Sequence, residues 1–146
     1  MARTPLPSPR IDTRYAYFAL SIRPSRIHRY GVYAREAIPA NRRVMEYRGE
    51  RITAAEAKER DVGGYTYLFE QDAQWTIDGA VGGSGAEIIN HSCDPNLISL
   101  VTNGRILFMS LRAIRSGEEL TIDYRFSGTI EETRCCCGAT ICRGTI

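Results

Sequence analysis

Cysteine is concentrated near the C-terminal end of this 146-residue chain. Cys135, Cys136, Cys137 and Cys142 follow one another closely, and Cys93 is the only cysteine elsewhere. Adjacent cysteines on a tight turn form disulfides poorly, but their thiolates can converge on one metal ion, and structural zinc takes four ligands in a tetrahedron. We therefore predict one zinc bound by Cys93, Cys135, Cys137 and Cys142, with Cys136 left over. The alternative is a group of free thiols, one of them redox-active.

No export or membrane segment is evident in the sequence. The longest apolar run near the start, Tyr15–Ile22, is far shorter than the roughly 20 residues that cross a bilayer. Without export the cysteines should stay reduced, and this favours metal binding or thiolate chemistry over disulfides. We therefore expect an intracellular protein.

The basic residues are almost all arginine and exclude several functions. Of the 19 lysine and arginine residues only Lys58 is a lysine, and no Gly-Lys-Ser/Thr triplet of a phosphate-binding loop occurs. The two histidines, His28 and His91, are too few for a three-histidine metal centre. The net charge of +2 is too small to predict a nucleic-acid-binding surface.

The segments that must position these residues are mostly short predicted strands. Thr53–Arg60 is the one convincing helix, because it opens with the Thr-x-x-Glu pattern of a capping box. Asn103-Gly104 separates two apolar runs, Leu97–Thr102 and Arg105–Arg112, and predicts a two-residue hairpin turn with positive φ. The other predicted strands are Tyr15–Arg23, Val32–Ala34, Arg43–Arg48, Tyr65–Glu70, Gln74–Asp78 and Glu118–Asp123.

Two separate motifs stand out in the second half of the chain, Asn-His-Ser-Cys-Asp-Pro-Asn at 90–96 and Gly-Glu-Glu-Leu-Thr-Ile-Asp-Tyr at 117–124. Together they resemble the paired signature of SET-domain protein lysine methyltransferases. The tail over 135–144 is similar to the post-SET zinc segment of that family, and 25–34 resembles its opening motif. The resemblance runs over about 16–146 and is closest to the trithorax-like branch, in a minimal form whose arginine bias favours a bacterial source.

The resemblance implies a mainly β SET-domain fold of several small curved sheets. It also implies one or two short helices, a zinc-bound post-SET tail, and a C-terminal pseudoknot in which the last strand passes beneath a loop near Asn90. We expect a flexible leader over 1–14, the SET domain over 15–126 and the post-SET tail over 127–146.

The resemblance also implies S-adenosylmethionine as the methyl donor. A neutral lysine amine would attack a methyl group on positively charged sulfur, in a dry channel entered from the opposite face. By their positions in the motifs, the resemblance implies that Tyr124 and Tyr67 are the catalytic residues and that Ile122 sets the number of methyl groups added. It implies that the donor-binding residues are His28, Tyr30, Tyr67, Asn90 and His91. It also implies that Cys136 and Ile146 lie near the adenosine.

Three positions depart from the family's pattern. Arg29 replaces the first glycine of the opening Gly-x-Gly, a position that can need unusual backbone angles. Glu87 stands where an arginine is common ahead of the Asn-His-Ser-Cys loop. Ile122 stands where many relatives carry phenylalanine or tyrosine, and because it has no hydroxyl to hold a water molecule it favours multiple methylation.

The predicted function is protein-lysine N-methyltransferase, acting on a histone tail or another basic, DNA-associated protein, without a direct nucleic-acid or membrane partner. The location follows from the substrate: the nucleus for chromatin, or the cytoplasm in a bacterium. An inactive SET-like module that binds peptide is the main alternative, and a thiol redox protein using Cys135 and Cys137 is another. A Ser84 hydrolase is excluded because Gly-Gly-Ser-Gly-Ala lacks the second glycine of a nucleophile elbow.

Overall fold

The computed structural model describes residues 9–62, 67–124 and 135–145, and this part of the chain is mainly β. One α-helix is present in it, α1 (Ala54–Arg60), together with short 3-10 turns at Thr13–Tyr15 and Ala86–Ile88. No helix among these residues is long and apolar enough to cross a membrane. The strands are β1 (Leu20–Pro24), β2 (Tyr30–Ala34), β3 (Arg43–Tyr47), β4 (Glu50–Thr53), β5 (Leu68–Glu70), β6 (Trp75–Asp78), β7 (Asn90–His91), β8 (Leu97–Thr102), β9 (Arg105–Ser110) and β10 (Thr121–Ile122).

The strands form three small sheets, which confirms the predicted fold class. β1 pairs with β2, β4 and β5 flank β6, and a five-stranded sheet has the order β3-β9-β8-β10-β7. The apolar faces of these sheets meet in one core. Its largest fully buried side chains include Phe108, Met45, Ile106, Leu120 and Ile38.

The hairpin of β8 and β9 forms where the sequence predicts it. Asn103 and Gly104 have φ angles of 49° and 70°, and two successive positive φ angles are what a two-residue turn between twisted strands requires. β8 and β9 pair in register from Leu97↔Ser110 to Thr102↔Arg105.

β10 lies between two strands that precede it in the chain. It runs parallel to both: Thr121 pairs with Asn90, and Ile122 pairs with His91 on one side and Leu97 on the other. The buried Asn96 side chain holds this insertion, because its amide donates to the Glu119 carbonyl at 2.9 Å and accepts from the Thr121 N–H at 2.9 Å. The predicted strand over Glu118–Asp123 is therefore only two residues long, and its register brings the two sequence motifs side by side.

Helix α1 has half of the predicted capping box. The Thr53 hydroxyl accepts from the Glu56 N–H at 3.2 Å. The Glu56 carboxylate does not return to Thr53 but accepts from Arg60 at 2.8 Å. Arg60 also bonds to the fully buried Asp78 at 2.8 Å, so an ion pair fixes the helix against β6.

The strand predicted over Tyr15–Arg23 begins only at Leu20. The difference arises because the Asp12 carboxylate accepts from the Arg14 N–H at 3.1 Å and caps a 3-10 turn ahead of the strand. The described end of the expected leader lies against the core: Ile11 packs on it and the Asp12 N–H donates to the Ser84 carbonyl at 2.8 Å.

Candidate functional site

Tyr124 lies directly against the Asn-His-Ser-Cys loop. Its N–H donates to Nδ1 of His91 at 2.9 Å, and its hydroxyl donates to the carbonyl of Ile89. The rings of His91 and Tyr124 are tilted against each other with centroids 5.4 Å apart. Both ends of the tyrosine are thus tied to one loop, next to Asn90.

The environment of Tyr124 keeps its hydroxyl protonated. Burial raises the pKa of Tyr124 well above its usual value, and the nearby Tyr67 and Glu119 raise it further. Tyr67 is held in this neighbourhood through its backbone, because its carbonyl accepts from the Tyr47 hydroxyl at 2.5 Å and from the Gly79 N–H at 2.8 Å. At neutral pH Tyr124 is therefore a neutral hydroxyl and cannot act as a base.

Asn90 fastens the opening segment of the domain to this loop. It is 6% exposed. Its amide nitrogen donates to the carbonyls of Tyr30 at 2.9 Å and His28 at 3.2 Å, and to Oε1 of Glu119 at 2.9 Å. Three of the predicted donor-binding residues, His28, Tyr30 and Asn90, therefore meet, because the carbonyls of the first two accept from the amide of the third.

Glu119 is a site residue that the sequence reading missed. Its carboxylate accepts from the Ser25 hydroxyl at 2.8 and 2.9 Å and from the Tyr33 hydroxyl at 3.3 Å, in addition to the Asn90 amide. A Cβ at Gly31 would lie 2.1 Å from its Oε1, so this glycine is required for close approach. The only signal was its place in the Gly-Glu-Glu motif, which gives no role.

We predict that Glu119→Ala lowers the free energy of unfolding by about 2–3 kcal/mol, because the buried Asn90 amide and the half-buried hydroxyls of Ser25 and Tyr33 lose a charged acceptor. Urea unfolding followed by circular dichroism measures this. The matched control is Glu118→Ala, which removes a more exposed ion pair with Arg112 and should cost less than about 1 kcal/mol. Equal losses in the two variants would show that the hydrogen bonds of Glu119 stabilise the fold no more than the exposed ion pair of Glu118 does.

The turn at Arg29 has the unusual backbone that the departure from Gly-x-Gly predicts. Arg29 has a φ of 39°, in the left-handed region where side chains other than Asn and Asp are uncommon. Its carbonyl accepts from the Ser25 N–H at 3.0 Å, and Asn90 holds the carbonyls on both sides of it. The contacts around the turn thus impose a conformation that glycine would adopt more readily.

The other two departures lie in the structural support of the site. The Glu87 carboxylate accepts from the Gly85 N–H at 2.9 Å, and burial raises the pKa of Glu87. Ile122 is 6% exposed and belongs to the main core. In β10 it pairs with His91 of the Asn-His-Ser-Cys loop.

A cluster of sulfur atoms lies on the other side of His91. The ligand atoms of His91, Cys93, Cys135 and Cys137 all lie within 4.8 Å of one another, a spacing that could hold a metal ion. Cys142 lies near this group, because its side chain raises the pKa of Cys135 and lowers that of Cys137. The structure therefore brings three of the four predicted cysteine ligands together with His91, with Cys142 beside them, whereas Cys136 is exposed.

The cluster favours thiolate over thiol at one sulfur. Burial disfavours the thiolate of Cys137, but the backbone N–H groups of Cys93 and Ala139 and the neighbouring thiols outweigh it and lower its pKa to about 6. Burial raises the pKa of Cys135 to about 12. N–H groups also point at two other sulfurs: Arg143 donates to Cys93 at 3.3 Å and Gly144 to Cys142 at 3.4 Å.

His91 is neutral and its protonation is fixed by its contacts. Burial lowers its pKa; Asp123 opposes this effect and Arg143 adds to it. Arg143 takes both oxygens of Asp123 at 2.9 Å, while Nδ1 of His91 lies 3.6 Å from that carboxylate, beyond hydrogen-bond length. The same ion pair joins the tail to the residue before Tyr124.

Of the remaining predictions, Ile146 lies outside the described residues.

Comparison with known proteins gives a consistent result. The family model for the SET domain matches residues 29–125. The chain is 38% identical over 130 residues to the histone-lysine N-methyltransferase set-2 of Caenorhabditis elegans, covering 82% of this chain and 9% of the relative. It is 40% identical over 131 residues to the H3 lysine-4 specific histone-lysine N-methyltransferase of Schizosaccharomyces pombe, covering 83% and 14%. The histone-lysine N-methyltransferase SUV39H2 of Gallus gallus is 38% identical over 146 residues, covering 79% and 36%.

Proposed function

This chain belongs to the SET-domain family, and from that premise we propose that it is a protein-lysine N-methyltransferase that uses S-adenosylmethionine. It spans only 9 to 14% of the length of the nematode and fission-yeast relatives. The observation that carries the proposal is the position of Tyr124, buried against the Asn-His-Ser-Cys loop beside Asn90, with its hydroxyl protonated.

The residues around Asn90 suit a positively charged donor. S-adenosylmethionine, when bound, supplies a methyl group on a positively charged sulfur that accepts the electron pair of a neutral amine. The carbonyls of His28 and Tyr30 and the Glu119 carboxylate gather negative potential around the Asn90 amide. We propose that the backbone and side chains of His28, Tyr30, Asn90 and His91 form the donor wall, with Tyr67 between donor and lysine.

Tyr124 would act by orientation. Its hydroxyl donates a hydrogen bond to the Ile89 carbonyl, and this bond fixes the orientation of the hydroxyl group. Holding two reactants in line can supply roughly 7–11 kcal/mol of the barrier reduction. Tyr124 does not take the proton of the lysine, because its raised pKa makes a phenolate unavailable at neutral pH.

The substrate lysine must lose its proton before it reacts. Neutralising a lysine amine at pH 7 costs about 4.6 kcal/mol, and burial away from water reduces this cost. The half-buried Tyr124 ring packs against the core that contains Ile122 and supplies such surroundings. Because Ile122 has no hydroxyl to hold a water molecule, we propose that more than one methyl group can be added.

We propose that the cysteine cluster binds one structural zinc through Cys93, Cys135, Cys137 and Cys142. Zinc supplies a tetrahedral cross-link between the loop and the tail. The lowered pKa of Cys137 and the N–H groups directed at Cys93 and Cys142 suit a site made of thiolates. A ligand role for His91 fits less well, because its Nδ1 already accepts a hydrogen bond.

The substrate we propose is a basic, lysine-bearing protein segment, with a histone tail as the first to test, and we propose action on chromatin in the nucleus if the host has one. The supporting observation is that the relatives named above are histone-lysine methyltransferases, one of them specific for H3 lysine 4.

The test is incubation of the purified chain with isotopically labelled S-adenosylmethionine and core histones, followed by mass spectrometry. We expect label on lysine, with di- or trimethylated product. Histones in which the lysines have been acetylated beforehand, and therefore carry no nucleophilic amine, serve as the control. Donor binding without transfer to any lysine-bearing protein would support an inactive peptide-binding module instead.

A further inference from the structure

His91 lies between the cysteine cluster and Tyr124, and its side chain is 2% exposed. One ring nitrogen accepts from the Tyr124 N–H at 2.9 Å, and the other, Nε2, lies 3.3 Å from the sulfur of Cys93. We propose that His91 is a positioning residue that connects the metal site to Tyr124. The inference rests on the proposed function, since it assigns Tyr124 its role.

The hydrogen-bond pattern decides which nitrogen carries the proton. A backbone N–H can only donate, so Nδ1 of His91 must offer a lone pair to Tyr124. In a neutral imidazole the proton is then on Nε2, which points at Cys93. Nε2 therefore donates to the sulfur and does not bind the metal itself. Donors of this kind commonly orient metal ligands from outside the coordination sphere.

Cys93 collects two such donors, because the Arg143 N–H also reaches its sulfur at 3.3 Å. The Arg143 guanidinium in turn holds Asp123 through two bonds of 2.9 Å. A metal-bound thiolate at Cys93 would therefore hold two chains of hydrogen bonds in place. One passes through the His91 ring to the Tyr124 N–H, and the other passes through Arg143 to Asp123, the residue before Tyr124. Loss of the metal would weaken both chains of hydrogen bonds, because both begin at the Cys93 sulfur.

The rival arrangement is also defined. Nε2 of His91 could bind the metal together with Cys93, Cys135 and Cys137, since these ligand atoms lie within 4.8 Å of one another. Cys142 would then be dispensable, and Nδ1 would have to carry the proton. That arrangement removes the acceptor of the Tyr124 N–H.

The ring state can be read directly in the zinc-loaded wild-type protein by long-range ¹H–¹⁵N correlation spectroscopy. The chain has two histidines, so a His28→Ala variant assigns the signals. We expect the nitrogen shift of an unprotonated acceptor at Nδ1 and of a protonated nitrogen at Nε2. A protonated Nδ1, with Nε2 at the shift of a metal-bound nitrogen, would overturn the proposal.

Two substitutions separate the two contacts. Asn places a polar atom one bond beyond Cγ, as Nδ1 is, whereas Gln places one two bonds beyond, as Nε2 is. We expect His91→Asn to weaken zinc about 10–100-fold in chelator competition, and His91→Gln to weaken it less. We expect the reverse order for hydrogen exchange of the Tyr124 amide at saturating zinc, with His91→Gln exchanging about tenfold faster than wild type.

The crossed order is the result that a general packing defect cannot give. If both variants change zinc affinity and amide exchange in the same order, the proposal is wrong. It is equally wrong if Cys142→Ser leaves zinc affinity unchanged. None of these measurements uses methyl transfer. Absence of turnover would therefore contradict the proposed function, whereas the role of His91 is decided by zinc affinity, the ring nitrogen shifts and amide exchange.

Discussion

Replacing Tyr124 with phenylalanine should slow the proposed methyl transfer by about 10²–10³-fold, the size of effect seen when one oriented polar group is removed from a reacting centre. The ring contact with His91 and the backbone bond to its Nδ1 remain, because neither involves the hydroxyl. Binding of S-adenosylmethionine should therefore change by only a few-fold. Initial rates with labelled donor, and calorimetric titration of the donor, measure the two effects separately.

Tyr17→Phe is the matched control for this prediction. Tyr17 is 47% exposed and its hydroxyl accepts from Arg105, away from the site. This variant should keep wild-type rates. A Tyr124→Phe enzyme as fast as Tyr17→Phe would remove Tyr124 from the mechanism.

The rate of the wild-type protein should rise with pH as the substrate amine loses its proton. Because the pKa of Tyr124 is raised by burial, its hydroxyl stays protonated through the range in which an exposed tyrosine ionises, near pH 10. No decline from Tyr124 ionisation should appear up to that pH. A falling limb at or below about pH 10 that disappears in Tyr124→Phe would mean that the pKa of this tyrosine is not raised.

Removing zinc should have the second large effect, on both stability and rate. A ligand present at a thousandfold excess over its dissociation constant stabilises the folded state by about 4 kcal/mol, and a chelator abolishes this contribution. Cys137→Ser should do the same without chelator, because it removes a sulfur whose lowered pKa favours the thiolate that zinc binds. Thermal unfolding and the zinc content per chain by atomic emission measure the result.

Cys136→Ser is the control, because it makes the same chemical change one residue away at an exposed position. It should keep one zinc per chain and the wild-type melting temperature. If Cys136→Ser and Cys137→Ser lose zinc equally, the proposed ligand set is incorrect. If neither loses zinc, the cluster is not the site.

Local features of the fold could be predicted because their causes are local. Asn103-Gly104 gives a turn with two positive φ angles wherever the flanking runs can pair, and Thr53 caps the helix that follows it. Strand lengths were less predictable. The segment over Glu118–Asp123 has the pattern of a full strand, but only Thr121 and Ile122 form a strand, since they are inserted between strands formed elsewhere. Glu119 makes only an isolated bridge with Tyr33 of β2.

The sequence by itself determined the family, through two motifs and a cysteine pattern whose residue types and order are specific. It also predicted site side chains at Tyr124, Asn90 and the cysteines, although not the contacts that they make. A motif identifies residues by their spacing along the chain, and this is sufficient when the chemistry depends on the residue type.

Only the tertiary structure decided the contacts that give these residues their roles. Glu119 meets Ser25 and Asn90, which are 94 and 29 residues away in sequence, and Nδ1 of His91 accepts from Tyr124, 33 residues on. Such hydrogen bonds depend on the path of the backbone between them and on which atoms face each other within about 3 Å. Sequence spacing carries no information about either, so the acceptor at Glu119 and the hydrogen bond from the Tyr124 N–H to His91 became visible only in the folded chain.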